Sequence, residues 1–104
     1  MLLEVREVSR KTPGDGRLEI TEVSARRLAM HGTQLPVAVD EARGEGRLVA
    51  MRCTCDKGGA SGGHQHHFVE SPLFRQLPAG ETVVLELLDG PQLSVARPHS
   101  LRPV

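Results

Sequence analysis

The chain has 104 residues, and its 13 basic side chains balance its 13 acidic ones. This balance argues against sequence-independent nucleic-acid binding, which needs a cationic excess, and two aromatic residues in all argue against base stacking. The start carries no apolar leader, and no segment is long enough to cross a bilayer, so we expect a cytoplasmic protein without membrane contact. We expect residues 1–98 to form one domain and residues 99–104 to be a frayed tail.

Alternation of apolar and polar residues predicts strands through most of the first half. A turn at residues 12–16 separates the first two strands, and a short helix capped by Ser24 ends at Gly32. A second turn at residues 43–46 precedes the fourth strand. The predicted strands are Leu2–Ser9, Arg17–Glu22, Leu35–Val39 and Arg47–Cys55, and the helix is Ala25–His31.

The second half repeats this order after a glycine-rich loop at residues 56–63. Ser71 and Pro72 begin a short helix, because proline at the first helical position loses no hydrogen bond. Asp89 and Gly90 are typical of a hairpin turn. The predicted elements are a strand at His64–Glu70, a helix at Leu73–Leu77, and strands at Thr82–Leu88 and Gln92–Ala96.

The two halves correspond when one is shifted by 48 residues. Gly32 then falls on Gly80 and Val37 on Leu85, while Leu18 falls on His66 and Val5 on Cys53. The repeat predicts a mainly β fold: a small pseudo-symmetric β-barrel of two ββαβ-like halves with two short helices. Such closure leaves few strand edges exposed.

A C-x-C and an H-x-H motif flank the glycine-rich loop. Side chains two apart on a strand point the same way, so a hairpin would place Cys55 opposite His64 and Cys53 opposite His66. Two thiolates and two imidazoles form the donor set of tetrahedral Zn²⁺, which is the predicted cofactor. A β-bulge would substitute His67 for His66.

Other interpretations of these residues stay open. Free cysteine also behaves as a small apolar core residue, so the motif is compatible with ordinary packing. Four protein ligands favour a structural site over a catalytic one, which would keep an open position for water. Oxidation of metal-bound thiolates is a third interpretation. The motif does not select zinc absolutely over iron, cobalt or copper.

The second half also contains a strand, a proline-started helix that ends in leucine, and a Gly-acidic pair before a strand hairpin. The residues that carry this pattern are Val69, Pro72, Arg75, Leu77, Gly80, Glu81, Val83, Leu85, Leu87, Gly90 and Pro98. Over residues 66–98 it resembles the swapped-hairpin element of the cradle-loop barrels, which include AbrB-like and double-psi β-barrels. AbrB-like members bind DNA, so the resemblance implies that Arg26, Arg27 and Arg75 contact phosphates.

Three functions follow as hypotheses. The first is a non-enzymatic binding or adaptor module whose hairpin is pinned by Zn²⁺ and whose partner is another protein. The second is an AbrB-like DNA-binding regulator, which the neutral charge disfavours. The third is a small zinc-dependent enzyme with an open coordination position. The sequence leaves the oligomeric state open, with a homodimer among the alternatives.

Overall fold

The computed structural model describes residues 1–53 and 64–97, and of Cys53 and His64 it describes the backbone alone. The strands are β1 (Leu2–Glu7), β2 (Arg17–Ile20), β3 (Gln34–Val39), β4 (Ala42–Cys53), β5 (His64–Glu70), β6 (Thr82–Leu88) and β7 (Gln92–Ala96). The helices are α1 (Thr12–Asp15), α2 (Glu22–Ala29) and a 3-10 helix, Pro72–Gln76. The predicted tail lies outside the described residues.

The seven strands form one sheet in the order β1-β6-β7-β3-β4-β5-β2. Neighbours are antiparallel except β3 and β7, which run parallel. The sheet curls into a nearly closed barrel, with the gap between β1 and β2. The predicted mainly β barrel with short helices is therefore confirmed, and within the described ranges no helix is long and apolar enough to span a bilayer.

The barrel interior is aliphatic apart from Phe74, in keeping with the two aromatic residues of the whole chain. Leu28 of α2 and Phe74 of the 3-10 helix add to this core, so the two helices help to close the barrel. Val8 and Leu77 follow β1 and the 3-10 helix, and the strands supply the other fully buried large side chains: Leu18, Leu35, Val37, Val69, Val83, Leu85, Leu93 and Val95.

The gap between β1 and β2 is bridged by side chains. One carboxylate oxygen of Glu4 lies 3.0 Å from the Thr21 amide and 2.5 Å from the Ser24 hydroxyl, at the start of α2. Arg6 of β1 donates to the backbone carbonyl of Glu19 in β2. We call these contacts the seam, because they replace the ladder that full closure would provide.

The second helix begins earlier than the sequence predicts. Its N-cap is Thr21, whose hydroxyl accepts a hydrogen bond from the Ser24 amide at 3.1 Å. The Ser24 hydroxyl bonds to Glu4 instead, so the capping role moves three residues upstream. The predicted turn at residues 12–16 contains the short helix α1, which ends at Gly16 with φ +70°.

The predicted turn at residues 43–46 is wrong, because these residues belong to β4. The chain reverses instead at Asp40, whose φ of +52° suits the left-handed region that aspartate tolerates. Gly44 and Gly46 allow side chains of neighbouring elements to lie close to the β4 backbone, and they do not form a turn. A Cβ on Gly44 would lie 3.3 Å from Leu73.

The order of the elements repeats as the shift of 48 residues predicts, but the burial of corresponding residues does not repeat. Gly32 and Gly80 both have positive φ, at +106° and +86°, in agreement with the shift. Leu18, however, is fully buried while its counterpart His66 is partly exposed. An exact shift of 48 residues therefore matches a buried residue of β2 with a partly exposed residue of β5. In the β2–β5 ladder, Leu18 is instead opposite Val69, which is also buried.

Candidate functional site

The β4–β5 hairpin extends beyond the rest of the sheet. β5 pairs with β4 along its whole length, whereas β2 accompanies β5 from His67 to Glu70 alone. Residues 64–66 and 51–53 therefore form a two-stranded ribbon with no third strand beside it among the described residues. The predicted metal ligands His64 and Cys53 end this ribbon.

The pairing within the ribbon differs from the predicted register. Cys53 is opposite His64, and Met51 is opposite His66. The predicted register is wrong by two residues, and Cys55 lies outside the described residues. A two-residue shift keeps every side chain on its original face, so alternation cannot distinguish the two registers. The faces still agree: the register places Cys53, His64 and His66 on one face.

His66 contacts an acidic side chain of β2. Its Nδ1 atom lies 2.8 Å from Oε2 of Glu19, and both side chains are about a third exposed, at 34% and 39%. A carboxylate on one ring nitrogen is the arrangement that orients a metal-binding imidazole in many sites. A metal held by His66 would therefore be bound through Nε2.

His67 lies on the other face of β5. The β4–β5 pairing runs without a bulge from Arg47 to Cys53, so His67 does not exchange places with His66 there. Its ring lines a small apolar hollow of about 270 Å³ beside Ala25 and Ala29 of α2.

The three arginines predicted to contact nucleic acid make separate contacts. Arg26 forms an ion pair with Glu22 at 2.7 Å, within the same helix. Arg27 lies 3.3 Å from the Met1 sulfur. Arg75 donates to the Gly14 carbonyl at 2.7 Å and so ties the 3-10 helix to α1.

A larger cleft lies between the α1 region and the β2–β5–β4 face that carries His66. Its volume is about 420 Å³, within the range of ligand sites. Its lining is Ser9, Lys11, Asp15, Arg17, Glu19, Met51, Arg52, His66 and Phe68. The sequence alone does not predict this cleft, although Glu19 lies between the two apolar residues of β2 and so faces away from the core.

A row of three charged residues closes one end of this face. Glu70 of β5 accepts from Arg17 of β2 at 3.0 Å and from Arg47 of β4 at 2.7 Å. The hydrogen bond from Arg17, followed by that from Arg47, holds the pKa of Glu70 below its ordinary value of 4.5. The carboxylate thus joins the outer strands of this three-stranded region.

Glu70→Gln is expected to reduce the acid sensitivity of the fold. Because the pKa of Glu70 is lowered in the folded state, its contribution to stability is present above pH 4.5 and is lost as the pH falls through and below that value. Melting temperatures from pH 7 to pH 3 should fall less steeply in the variant. Glu45→Gln, at an exposed position without an ion pair to any described residue, is the matched control. Parallel curves for wild type and Glu70→Gln would contradict the assignment.

Within the described part of the chain, no group of three or more His, Cys, Asp or Glu side chains is placed to hold a metal ion. That part leaves out Cys55 and the side chains of Cys53 and His64. Comparison with known proteins finds no matching family model, curated protein or solved structure.

Proposed function

We propose that the protein is a small, non-enzymatic binding module whose β4–β5 ribbon is pinned by Zn²⁺. The ligands would be Cys53, Cys55, His64 and His66. The observation that supports this most directly is the register, which sets Cys53 opposite His64 at the end of the ribbon.

The ribbon needs an additional source of stability. Two strands without a third are marginally stable in water. Opposed Cβ atoms in an antiparallel pair are roughly 5 Å apart, so one metal ion can bridge a cysteine and a histidine at such positions. A zinc bridge between Cys53 and His64 would therefore hold the ribbon where the barrel no longer supports it.

His66 is suited to be the third ligand. It is two residues from His64 on the same strand face, and Glu19 lies against its Nδ1 atom. This carboxylate would fix the ring orientation and raise its basicity. Cys55 would complete the tetrahedron from the segment that follows β4, and the closed shell would leave no position for a reacting water.

The partner of this module would be another protein. The ribbon presents Met51, which is 41% exposed, on a strand pair that extends beyond the core. Met side chains adapt to irregular partner surfaces. Zinc would act here by keeping that surface rigid, which lowers the entropic cost of association.

The test is zinc content by elemental mass spectrometry on tag-free protein purified without chelator. Wild type should hold about one zinc per chain, and Cys53→Ser should lose it together with thermal stability, because loss of one thiolate opens the shell. Gln65→Ala, between the two ribbon histidines but on the other strand face, is the control and should keep the metal. Normal zinc content and melting in Cys53→Ser would refute the proposal.

X-ray absorption at the zinc edge separates the structural proposal from its enzymatic alternative. Two sulfur and two nitrogen ligands would support the closed site. A shell of three protein ligands and one light oxygen would indicate an open position and the small zinc enzyme. The register is compatible with this alternative, because Cys53, His64 and His66 share a strand face without Cys55.

The cradle-loop resemblance and its DNA-binding function remain an alternative proposal. The barrel and its hairpins β3–β4 and β6–β7 are compatible with that group. The arginines support it less, because Arg26 is already paired with Glu22 and Arg75 is bound to a backbone carbonyl. Binding to phosphates would have to replace these contacts.

A further inference from the structure

We propose that the cleft between the α1 region and the β2–β5–β4 face binds a small organic anion. Lys11 and Arg52 would hold the anionic group, with the long side chain of Arg52 reaching it around the edge of the ribbon, and Phe68 and Met51 would contact the apolar part. The site goes beyond the zinc proposal, with which it shares His66, Glu19 and Met51 but no proposed zinc ligand other than His66.

Two of the three cations that line the cleft lack a carboxylate partner among the described residues. Lys11 and Arg52 are exposed, and neither forms an ion pair with any described residue. Two cations without counterions at the edge of a concave site attract anions, because the low-dielectric walls focus their field.

The carboxylates that line the cleft are already engaged. Glu19 lies 2.8 Å from His66, and Asp15 accepts a hydrogen bond from the Arg17 amide at 2.9 Å. The Arg17 guanidinium pairs with Glu70, a carboxylate that a second arginine shares. The side chains that line the cleft include three cations, Lys11, Arg17 and Arg52, and two carboxylates, Asp15 and Glu19, so the local balance of charge is positive.

The floor of the cleft is partly apolar. Phe68 is half-buried there, and the Met51 sulfur lies 3.4 Å from a guanidinium nitrogen of Arg17. A volume of about 420 Å³ suits a ligand of one or two rings rather than a polymer. A flat apolar body with one anionic group matches both the floor and the cations.

The experiment is a ¹H–¹⁵N NMR titration of the full chain with phenyl phosphate, benzoate, phenol and inorganic phosphate. Phenyl phosphate or benzoate should shift the amides of Lys11, Arg52 and Phe68, with a Kd on the order of 1 mM. The stronger of the two identifies the preferred anionic group. Phenol and inorganic phosphate should each bind several-fold more weakly, since each supplies one half of the recognition.

The double variant Lys11→Met/Arg52→Gln should bind about tenfold or more weakly, because two charge-assisted contacts are removed. Arg43→Gln, at an exposed cation that does not line the cleft, should bind as wild type does. The double variant should keep the zinc content of wild type, because neither residue is a proposed zinc ligand, which keeps this test separate from that of the zinc site. Equal affinity in the double variant, or shifts that do not map to the cleft, would overturn the proposal.

Discussion

Replacing Gly46 by alanine is expected to destabilise the barrel by about 1–3 kcal/mol, despite the smallest possible increase in side-chain size. A Cβ at this position would lie 2.4 Å from Cγ2 of Val37 and 3.1 Å from Cγ1 of Val69. Both valines are buried, at 1% and 0% exposed. Because valine has few χ1 rotamers, neither side chain can move away without displacing its own neighbours.

The position of Gly46 explains why the contact is so close. β4 pairs with β3 up to Arg47 and with β5 from Arg47 onward, so the strand changes partners next to this glycine. Here Val37 from one neighbour and Val69 from the other meet over its backbone. A glycine-to-alanine change elsewhere would gain about 0.4–1 kcal/mol by restricting the unfolded chain, which is less than the expected cost of this overlap.

Chemical denaturation of Gly46→Ala beside Gly14→Ala measures this effect. Gly14 has no atom within 4 Å of its added Cβ and no positive φ, so its replacement should be neutral or slightly stabilising. The melting temperature of Gly46→Ala should fall by roughly 4–8 °C for each kcal/mol lost. If both variants melt together, Val37 and Val69 are not packed as described.

The alternation of residues predicts the strands well, because it reports directly on which face is buried. β5, β6 and β7 have the predicted bounds, and Pro72 begins the second short helix as expected. These segments have clear local signals: a half-buried strand, a proline at a helix start and an Asp-Gly turn. The barrel follows from seven such strands with few exposed edges.

Glycines in the middle of β4 show where local signals fail. Gly44 and Gly46 resemble a turn, yet they lie in a strand, where the 3-10 helix, β3 and β5 pack against them. Nothing in residues 43–46 alone reveals those neighbours. The register of Cys53 and His64 has the same origin, since it depends on how the barrel positions β4 against β5 and not on the ribbon's own pattern.

The cleft could not be predicted for a related reason. Lys11, Glu19 and Arg52 are far apart in the sequence and each resembles an ordinary exposed charge. They line the same cleft because β2 and β5 pair and the α1 region lies over them. A metal motif, by contrast, is local in sequence, so its residues could be proposed before any fold was known.

Removal of the Glu4 carboxylate is the other change with a large expected effect. Glu4→Ala should cost about 2–4 kcal/mol, because it leaves the Thr21 amide and the Ser24 hydroxyl without their acceptor at the start of α2. The side chain of Glu4 is 11% exposed, so water can replace little of what is lost. The helix start would also lose a favourable negative charge.

Arg6 adds to this cost. Its Nε atom lies 3.4 Å from Glu4, within ion-pair distance, but no described group accepts a hydrogen bond from that buried atom with good geometry. In Glu4→Ala the guanidinium keeps its bond to the Glu19 carbonyl and loses its nearest counterion. A partly buried cation without its partner is destabilising, so the seam should lose the contacts of Glu4 and also be weakened at Arg6.

Two further variants, Glu4→Gln and Glu7→Ala, test whether the loss of stability comes from the Glu4 carboxylate. In Glu4→Gln the side-chain amide would still accept one hydrogen bond while lacking the charge, so the stability of this variant should lie between those of wild type and Glu4→Ala. Glu7 is on the same strand and exposed, and its replacement should change stability by less than about 0.5 kcal/mol. Faster amide exchange in Glu19, Thr21 and Ser24 of Glu4→Ala would locate the loosening at the β1–β2 gap. Equal stability of the Glu4 and Glu7 variants would show that the barrel is held together by its ladders and core, without the seam.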